Sequence, residues 1–133
     1  MDKLTIGWIG TGVMGLHMCG HLMSKGDYWV LVYNRTESKC LPLIEKGAMF
    51  ASIEDIGKQA DFVFMMVGYP KDVEEVVFGE NGLSHHMKVG SILIDHTTSS
   101  PDLAEWIASE LAAKGIGSID APVSGGDIGA KNG

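Results

Sequence analysis

Six short apolar runs alternate with five segments of helical character, and this alternation restricts the fold more than any other feature. The runs are residues 4–9, 29–34, 48–51, 61–67, 91–95 and 116–120, and the helical segments are 13–25, 36–46, 53–59, 71–78 and 101–114. Phe62, Val63, Phe64, Met65, Met66 and Val67 form a run that is apolar on both faces, as suits a parallel strand covered by helices on each side. Right-handed crossovers then favour a doubly wound α/β sheet, for which the strand order 3-2-1-4-5-6 is expected in a dinucleotide-binding fold of Rossmann type. A chain of 133 residues fits a single such domain, 1–133. Helix punctuation agrees. Thr36 and Ser52 are placed as N-caps, with Asp55 three residues after Ser52, and Ser100 precedes Pro101 at a first helical position. Gly26, Gly47 and Gly115 fall where a left-handed residue closes a helix.

The first run leads into Gly10, Thr11, Gly12, Val13, Met14 and Gly15, a G-x-G-x-x-G pattern between a strand and a helix. In that setting Gly10 permits a tight turn, Gly12 lets a pyrophosphate approach the backbone, and Gly15 lets the helix pack closely. Val13 and Met14 open the helix, whose N-terminal amides attract phosphate. Glycines also punctuate ordinary loops, so the other strand ends decide the matter. In an open parallel sheet, ligands bind beyond the carboxyl ends of the strands. Those ends carry Asn34, Arg35 and Thr36 after run two, and Gly68, Tyr69 and Pro70 after run four. Run five ends in His96, Thr97, Thr98 and Ser99, and run six in Ala121 to Gly126. Glycines, hydroxyls and one arginine thus gather on one rim.

The second strand end speaks to the choice of dinucleotide. An NAD site usually places Asp or Glu there to bind the adenosine ribose. Here the position holds Asn34, which does not repel a 2′-phosphate, followed by Arg35, whose guanidinium pairs with phosphate in a fork. Thr36 adds a hydroxyl and Lys39 a further charge. Arg35 is the sole arginine in the sequence. NADP(H) is therefore the preferred cofactor, with NAD(H) as the alternative.

A net charge of −7 argues against nucleic acid or an acidic membrane surface as a partner. The longest apolar stretch is too short to span a bilayer, and no targeting segment is read ahead of the first strand. Cys19 and Cys40 are too few for a disulfide framework and read as reduced thiols of a cytoplasmic protein. His17 and His21 share one helix face, but Met18 follows His17 where a zincin needs Glu. No metal site is expected. Ser124 with His96 lacks the G-x-S-x-G elbow of a hydrolase.

Taken together, Gly7 to Gly15 with Met14 before the third glycine, Val32 to Thr36, Gly79 to Gly82, Asp95 to Pro101 and Asp120 to Gly126 resemble the β-hydroxyacid dehydrogenases. That family includes 3-hydroxyisobutyrate dehydrogenase, tartronate semialdehyde reductase and the glyoxylate/succinic semialdehyde reductases, with 6-phosphogluconate dehydrogenase a larger relative. The resemblance implies that Ser124, Gly125 and Gly126 hold the carboxylate and hydroxyl of a small β-hydroxyacid. It also implies that Thr97 or Thr98 lies near the nicotinamide ribose and that Met66 and Val67 line the cofactor. His96 departs from the small or hydrophobic residue usual at its place, and either cofactor contact or solvent exposure is open to it.

In that family the general acid is a lysine on a helix well beyond the Ser-Gly-Gly motif, in a further all-helical domain that completes the pocket and the dimer. The sequence ends at Gly133, before that helix, and Lys131 does not match it. No catalytic residue is therefore placed in this chain, which is expected to bind cofactor and turn over slowly or not at all. The complete protein is expected to be a homo-oligomer. Two other readings are a non-catalytic NADP-binding module and a pyrroline-carboxylate-type reductase, which opens with a similar glycine pattern.

Overall fold

The computed structural model describes residues 3–97 and 100–122. A six-stranded, all-parallel sheet is built from β1 (Thr5–Ile9), β2 (Trp29–Tyr33), β3 (Met49–Phe50), β4 (Phe62–Met65), β5 (Ile92–Asp95) and β6 (Gly117–Asp120). Its order is β3-β2-β1-β4-β5-β6, the expected doubly wound arrangement. Gly7 of β1 stands level with Leu31 of β2 and Val63 of β4, and Val63 with Leu93 of β5.

The helices are α1 (Val13–Lys25), α2 (Leu41–Ile44), α3 (Ile53–Gln59), α4 (Pro70–Phe78) and α5 (Pro101–Ala112). Period-two alternation sends successive strand residues to opposite layers. On one face Ile9, Leu31, Val63, Met65 and Leu93 pack against Ile56 of α3, Val73 and Val77 of α4, and Ile107 and Leu111 of α5. On the other, Ile6, Trp8, Val30 and Val32 pack with Cys19 of α1 and Leu43 of α2. Burial on both faces is why these strands read as continuous apolar runs.

The expected helix over 36–46 is divided into a 3-10 turn at Glu37–Cys40 followed by α2. Pro42 explains the division. It has no N–H to offer the Ser38 carbonyl, and Leu41 N–H takes that carbonyl in the tighter 3-10 pattern. Thr36 precedes the turn without capping it through its side chain. Ser52 and Ser100 do cap their helices, accepting the N–H of Asp55 and Leu103, each at 3.1 Å. Gly47 and Gly115 are left-handed, but Gly26 is extended with φ −155°. A side chain at Gly26 would run into the Tyr28 ring, so packing rather than a left-handed turn accounts for that glycine.

At the amino edge of the sheet, Asp61 accepts the Thr5 N–H and the Lys88 ammonium, each at 2.9 Å. These bonds, the Thr5 amide foremost, hold its carboxyl below the usual carboxylate range. A depressed folded value contributes stability above the unfolded pKa, and that stability is lost as pH falls through the folded value. Asp61→Asn should therefore lower the melting temperature most near neutral pH, with the gap from the unaltered protein closing below about pH 4. A gap constant from pH 7 to pH 3 would contradict this role for Asp61.

Candidate functional site

The turn after β1 passes between the ends of β2 and β4, at the point where the strand order reverses. Gly10 has φ +103°, and a side chain there would overlap the Met66 carbonyl. Its N–H donates to the Tyr33 carbonyl and its own carbonyl accepts the Trp8 indole N–H, both at 2.9 Å. A side chain at Gly15 would strike that same Gly10 carbonyl, so the first turn of α1 rests directly on the glycine turn.

Gly12 differs. A Cβ there meets nothing within 4 Å, and Gly12 opens directly onto the cleft over this turn. Gly12 is also the N-cap of α1, with no side chain capping the helix and no acidic residue in the first turn. By contrast, α3 and α5 start under serine caps. The first amides of α1 thus remain for an anionic ligand.

A cleft of about 860 Å³ opens over this turn, a size suited to a cofactor. Of the residues singled out from sequence, Gly10, Gly12, Val13, Met14, Asn34, Arg35, Thr36, Met66 and Val67 line it, and so does Lys39. Thr98, Ser124, Gly125 and Gly126 lie outside the described residues.

Thr11 and Thr97 lie just beneath the rim. Both are buried, and neither lines the cleft. The Thr11 hydroxyl lies 3.8 Å from the Cys40 sulfur. The Thr97 hydroxyl accepts Val67 N–H at 2.9 Å, and Thr97 N–H donates to Asp95 Oδ1 at 2.8 Å. Their short polar side chains satisfy groups beneath the rim, so they hold the lining in place instead of forming it. Asp95, itself buried, has its carboxyl pushed up by burial, against which the bonds from Thr97 act.

Asn34 is a clamp as well as a lining residue. Its Oδ1 accepts Thr11 N–H at 3.0 Å while its Nδ2 donates to the Thr36 carbonyl at 3.1 Å. A carboxylate could not do both, because it only accepts. The amide therefore joins the glycine turn to the loop that carries Arg35. Arg35 is 79% exposed and reaches Asp72 Oδ1 of α4 at 3.5 Å.

His96 packs within the sheet layer behind the rim. Its ring stacks against Phe64 at 5.9 Å and Trp8 at 6.1 Å, and its Nδ1 lies 2.9 Å from the Ala121 carbonyl. It is half-buried and away from the cleft lining.

The wall formed by Asp72, Glu75 and residues 79–82 was not read as part of the site from sequence. The glycines at 79 and 82 were visible within the resemblance. The spacing of Asp72 and Glu75 put both on one side of a helix without saying which side faced a cleft. Among the described residues, no cluster of three or more His, Cys, Asp or Glu could hold a metal ion. No described helix is long and apolar enough to cross a membrane.

Known proteins share this arrangement. The NAD-binding domain of 6-phosphogluconate dehydrogenase matches residues 5–133 as a family. The chain belongs to that family. An uncharacterized oxidoreductase of Bacillus subtilis, YkwC, is 52% identical over 98% of the chain and 46% of its own length. A probable mitochondrial 3-hydroxyisobutyrate dehydrogenase-like protein of Arabidopsis thaliana is 54% identical over 96% of the chain and 39% of its own length. Among solved structures, Psf3 in complex with NADP+ and 2-OPP aligns with a TM-score of 0.89 and 32% identity, over 96% of this chain and 45% of that one. The 3-hydroxyisobutyrate dehydrogenase of Salmonella typhimurium aligns with a TM-score of 0.88 and 29% identity, over 98% and 45% respectively. The chain thus spans about half the length of the relatives it matches.

As a member of the 6-phosphogluconate dehydrogenase NAD-binding family, the chain carries that family's NAD-binding domain. The glycine turn makes separable demands on fold and ligand. Gly12→Ala should leave stability within about 0.5 kcal/mol of the unaltered protein while weakening dinucleotide binding at least about tenfold. Gly10→Ala should destabilise the fold outright by roughly 2 kcal/mol or more. Thermal melting alongside cofactor titration measures both, and undiminished binding by the Gly12 variant would contradict the role of that open space.

Proposed function

We propose that the protein is the cofactor-binding part of an NADP(H)-dependent oxidoreductase acting on a small β-hydroxyacid or its semialdehyde. The observation that carries the cofactor choice is the end of β2. The residues of β2 and the loop after it that line the cleft are Tyr33, Asn34, Arg35, Thr36 and Lys39, with no carboxylate among them. Asn34 spends one oxygen and one nitrogen contact on the backbone of the two loops, and Arg35 extends into solvent at the cleft mouth. A guanidinium so placed suits a 2′-phosphate better than a ribose hydroxyl.

In this reading Gly12 and the first amides of α1 would hold the pyrophosphate, and Arg35 the phosphate of the adenosine end. A bound nicotinamide would give a hydride to a carbonyl carbon or take one from a carbinol carbon. Trp8 and Asn34 fix the glycine turn from either side, and Thr97 fixes Val67, so the groups lining the cleft are held before cofactor arrives. Ser124, Gly125 and Gly126 take the substrate carboxylate and hydroxyl, as a serine hydroxyl and backbone amides suit an anion.

Reduction of an aldehyde leaves a developing alkoxide that needs a proton or a positive partner. The basic side chains that line the cleft, Arg35 and Lys39, belong to the adenosine end, so the acid is assigned to the remainder of the whole protein. The same remainder is where a homo-oligomer would be built. Cys19 and Cys40 are buried free thiols, burial raising Cys19 to about 12, and such inert thiols suit a reducing compartment such as the cytoplasm.

Arg35→Glu should weaken NADPH binding at least about tenfold while leaving NADH binding within about threefold. Equal losses for both cofactors in calorimetric titration would overturn the choice of NADP(H). Following NADPH oxidation with glyoxylate, succinic semialdehyde and tartronate semialdehyde tests the substrate class. Rapid steady-state turnover by residues 1–133 alone would contradict the assignment of the acid elsewhere.

A further inference from the structure

Charge is unevenly shared around the cleft mouth, where Glu54 at the start of α3 is already paired with Lys58 at 3.7 Å. Arg35 and Lys39 stand on the β2 side, and Asp72, Glu75 and Glu80 on the side of α4 and the turn after it. Only one pair spans the mouth among the ion pairs of the described residues, Arg35 with Asp72 at 3.5 Å. Its partners are unequal. The Asp72 side chain is 17% exposed, against 79% for Arg35. One carboxylate oxygen, Oδ2, already accepts Tyr69 N–H at 3.0 Å in the first turn of α4. Asp72 is therefore anchored by its helix, and its second oxygen is the one that meets the guanidinium.

We propose that Asp72 is a specificity-determining residue that competes with the 2′-phosphate of NADP(H) for Arg35, and so sets how strongly the site prefers NADP(H) over NAD(H). The proposal rests on the assignment of Arg35 to that phosphate. A phosphate arriving at Arg35 must displace a fixed carboxylate or accept a guanidinium shared with it. The carboxylate cannot withdraw to make room, because the Tyr69 amide holds it. NAD(H) has no 2′-phosphate and meets neither cost. Asp72 thus acts against NADP(H) selectively and moderates a preference that Arg35 alone would make steeper. An exposed guanidinium facing one carboxylate is an interaction of modest strength, so the effect is a trim on selectivity and not a reversal of it.

Asp72→Asn isolates this role. Its amide oxygen can still accept Tyr69 N–H, while the group turned to Arg35 becomes a donor that a guanidinium does not bind. Asp72→Ser is the second variant, since a hydroxyl also serves near a helix N-terminus. The unaltered protein, both variants, Arg35→Ala and the Arg35→Ala/Asp72→Asn double variant are titrated calorimetrically with NADPH and NADH at low ionic strength.

Asp72→Asn and Asp72→Ser are expected to tighten NADPH binding by about two- to fivefold, the scale of one exposed ion pair, with NADH binding unchanged. The gain should vanish in the Arg35→Ala background, where there is no guanidinium to release, and should shrink in high salt. Unchanged or weaker NADPH binding in both Asp72 variants, with melting temperatures preserved, would overturn the proposal. So would a gain that survives removal of Arg35, which would mean that Asp72 repels the phosphate directly. If Arg35→Ala weakens NADPH and NADH alike, the underlying assignment of Arg35 fails instead, a result distinct from failure of Asp72 alone.

Discussion

The backbone of Gly10 is held from three directions, and the cleft depends on that grip. Its amide is bonded to the end of β2 and its carbonyl to the Trp8 indole, while the Met66 carbonyl at the end of β4 occupies the space a side chain would need. These contacts fix the turn at the point where the sheet reverses its strand order. A Rossmann-type sheet separates its crossovers there, leaving a crevice beyond the strand ends. Because protein contacts fix the turn, Gly12 and the first amides of α1 are held facing that crevice. Preorganisation of this kind lowers the ordering cost of binding.

Polar side chains beneath the rim extend the same constraint outward. Asn34 joins the glycine turn to the loop after β2, and Thr97 joins the loop after β5 to Val67 after β4. The Trp8–Phe64–His96 stack reaches from the glycine turn to the Ala121 carbonyl. Five strand ends, those of β1, β2, β4, β5 and β6, are thereby connected. Such networks are costly when partly satisfied, so substitutions within them should disturb neighbouring loops together.

Much of this was readable from the sequence because the fold writes itself in periods. Two-sided apolar strands, serine caps at 52 and 100 and the spacing of Gly10, Gly12 and Gly15 each have local causes. The rim's identity followed from topology, since every strand in a parallel sheet ends on the same side. Local pattern does not give direction. Thr11 and Thr97 stand at the rim, but the Thr11 hydroxyl turns toward Cys40 and the Thr97 hydroxyl toward the Val67 amide. Asp72 carries no local mark of a site, and only the folded chain brings it across from Arg35. Pro42 divides the helical segment before β3 because it denies its i−4 partner a hydrogen bond.

The central claim is that the rim of this sheet holds a dinucleotide and that the end of β2 selects the phosphorylated one. Calorimetric titration of the unaltered protein with NADPH and NADH, in the same buffer and at the same ionic strength, tests it most directly. The account predicts a one-to-one complex with each and a dissociation constant for NADPH lower by at least about tenfold. Equal affinities, or a tighter complex with NADH, would contradict it.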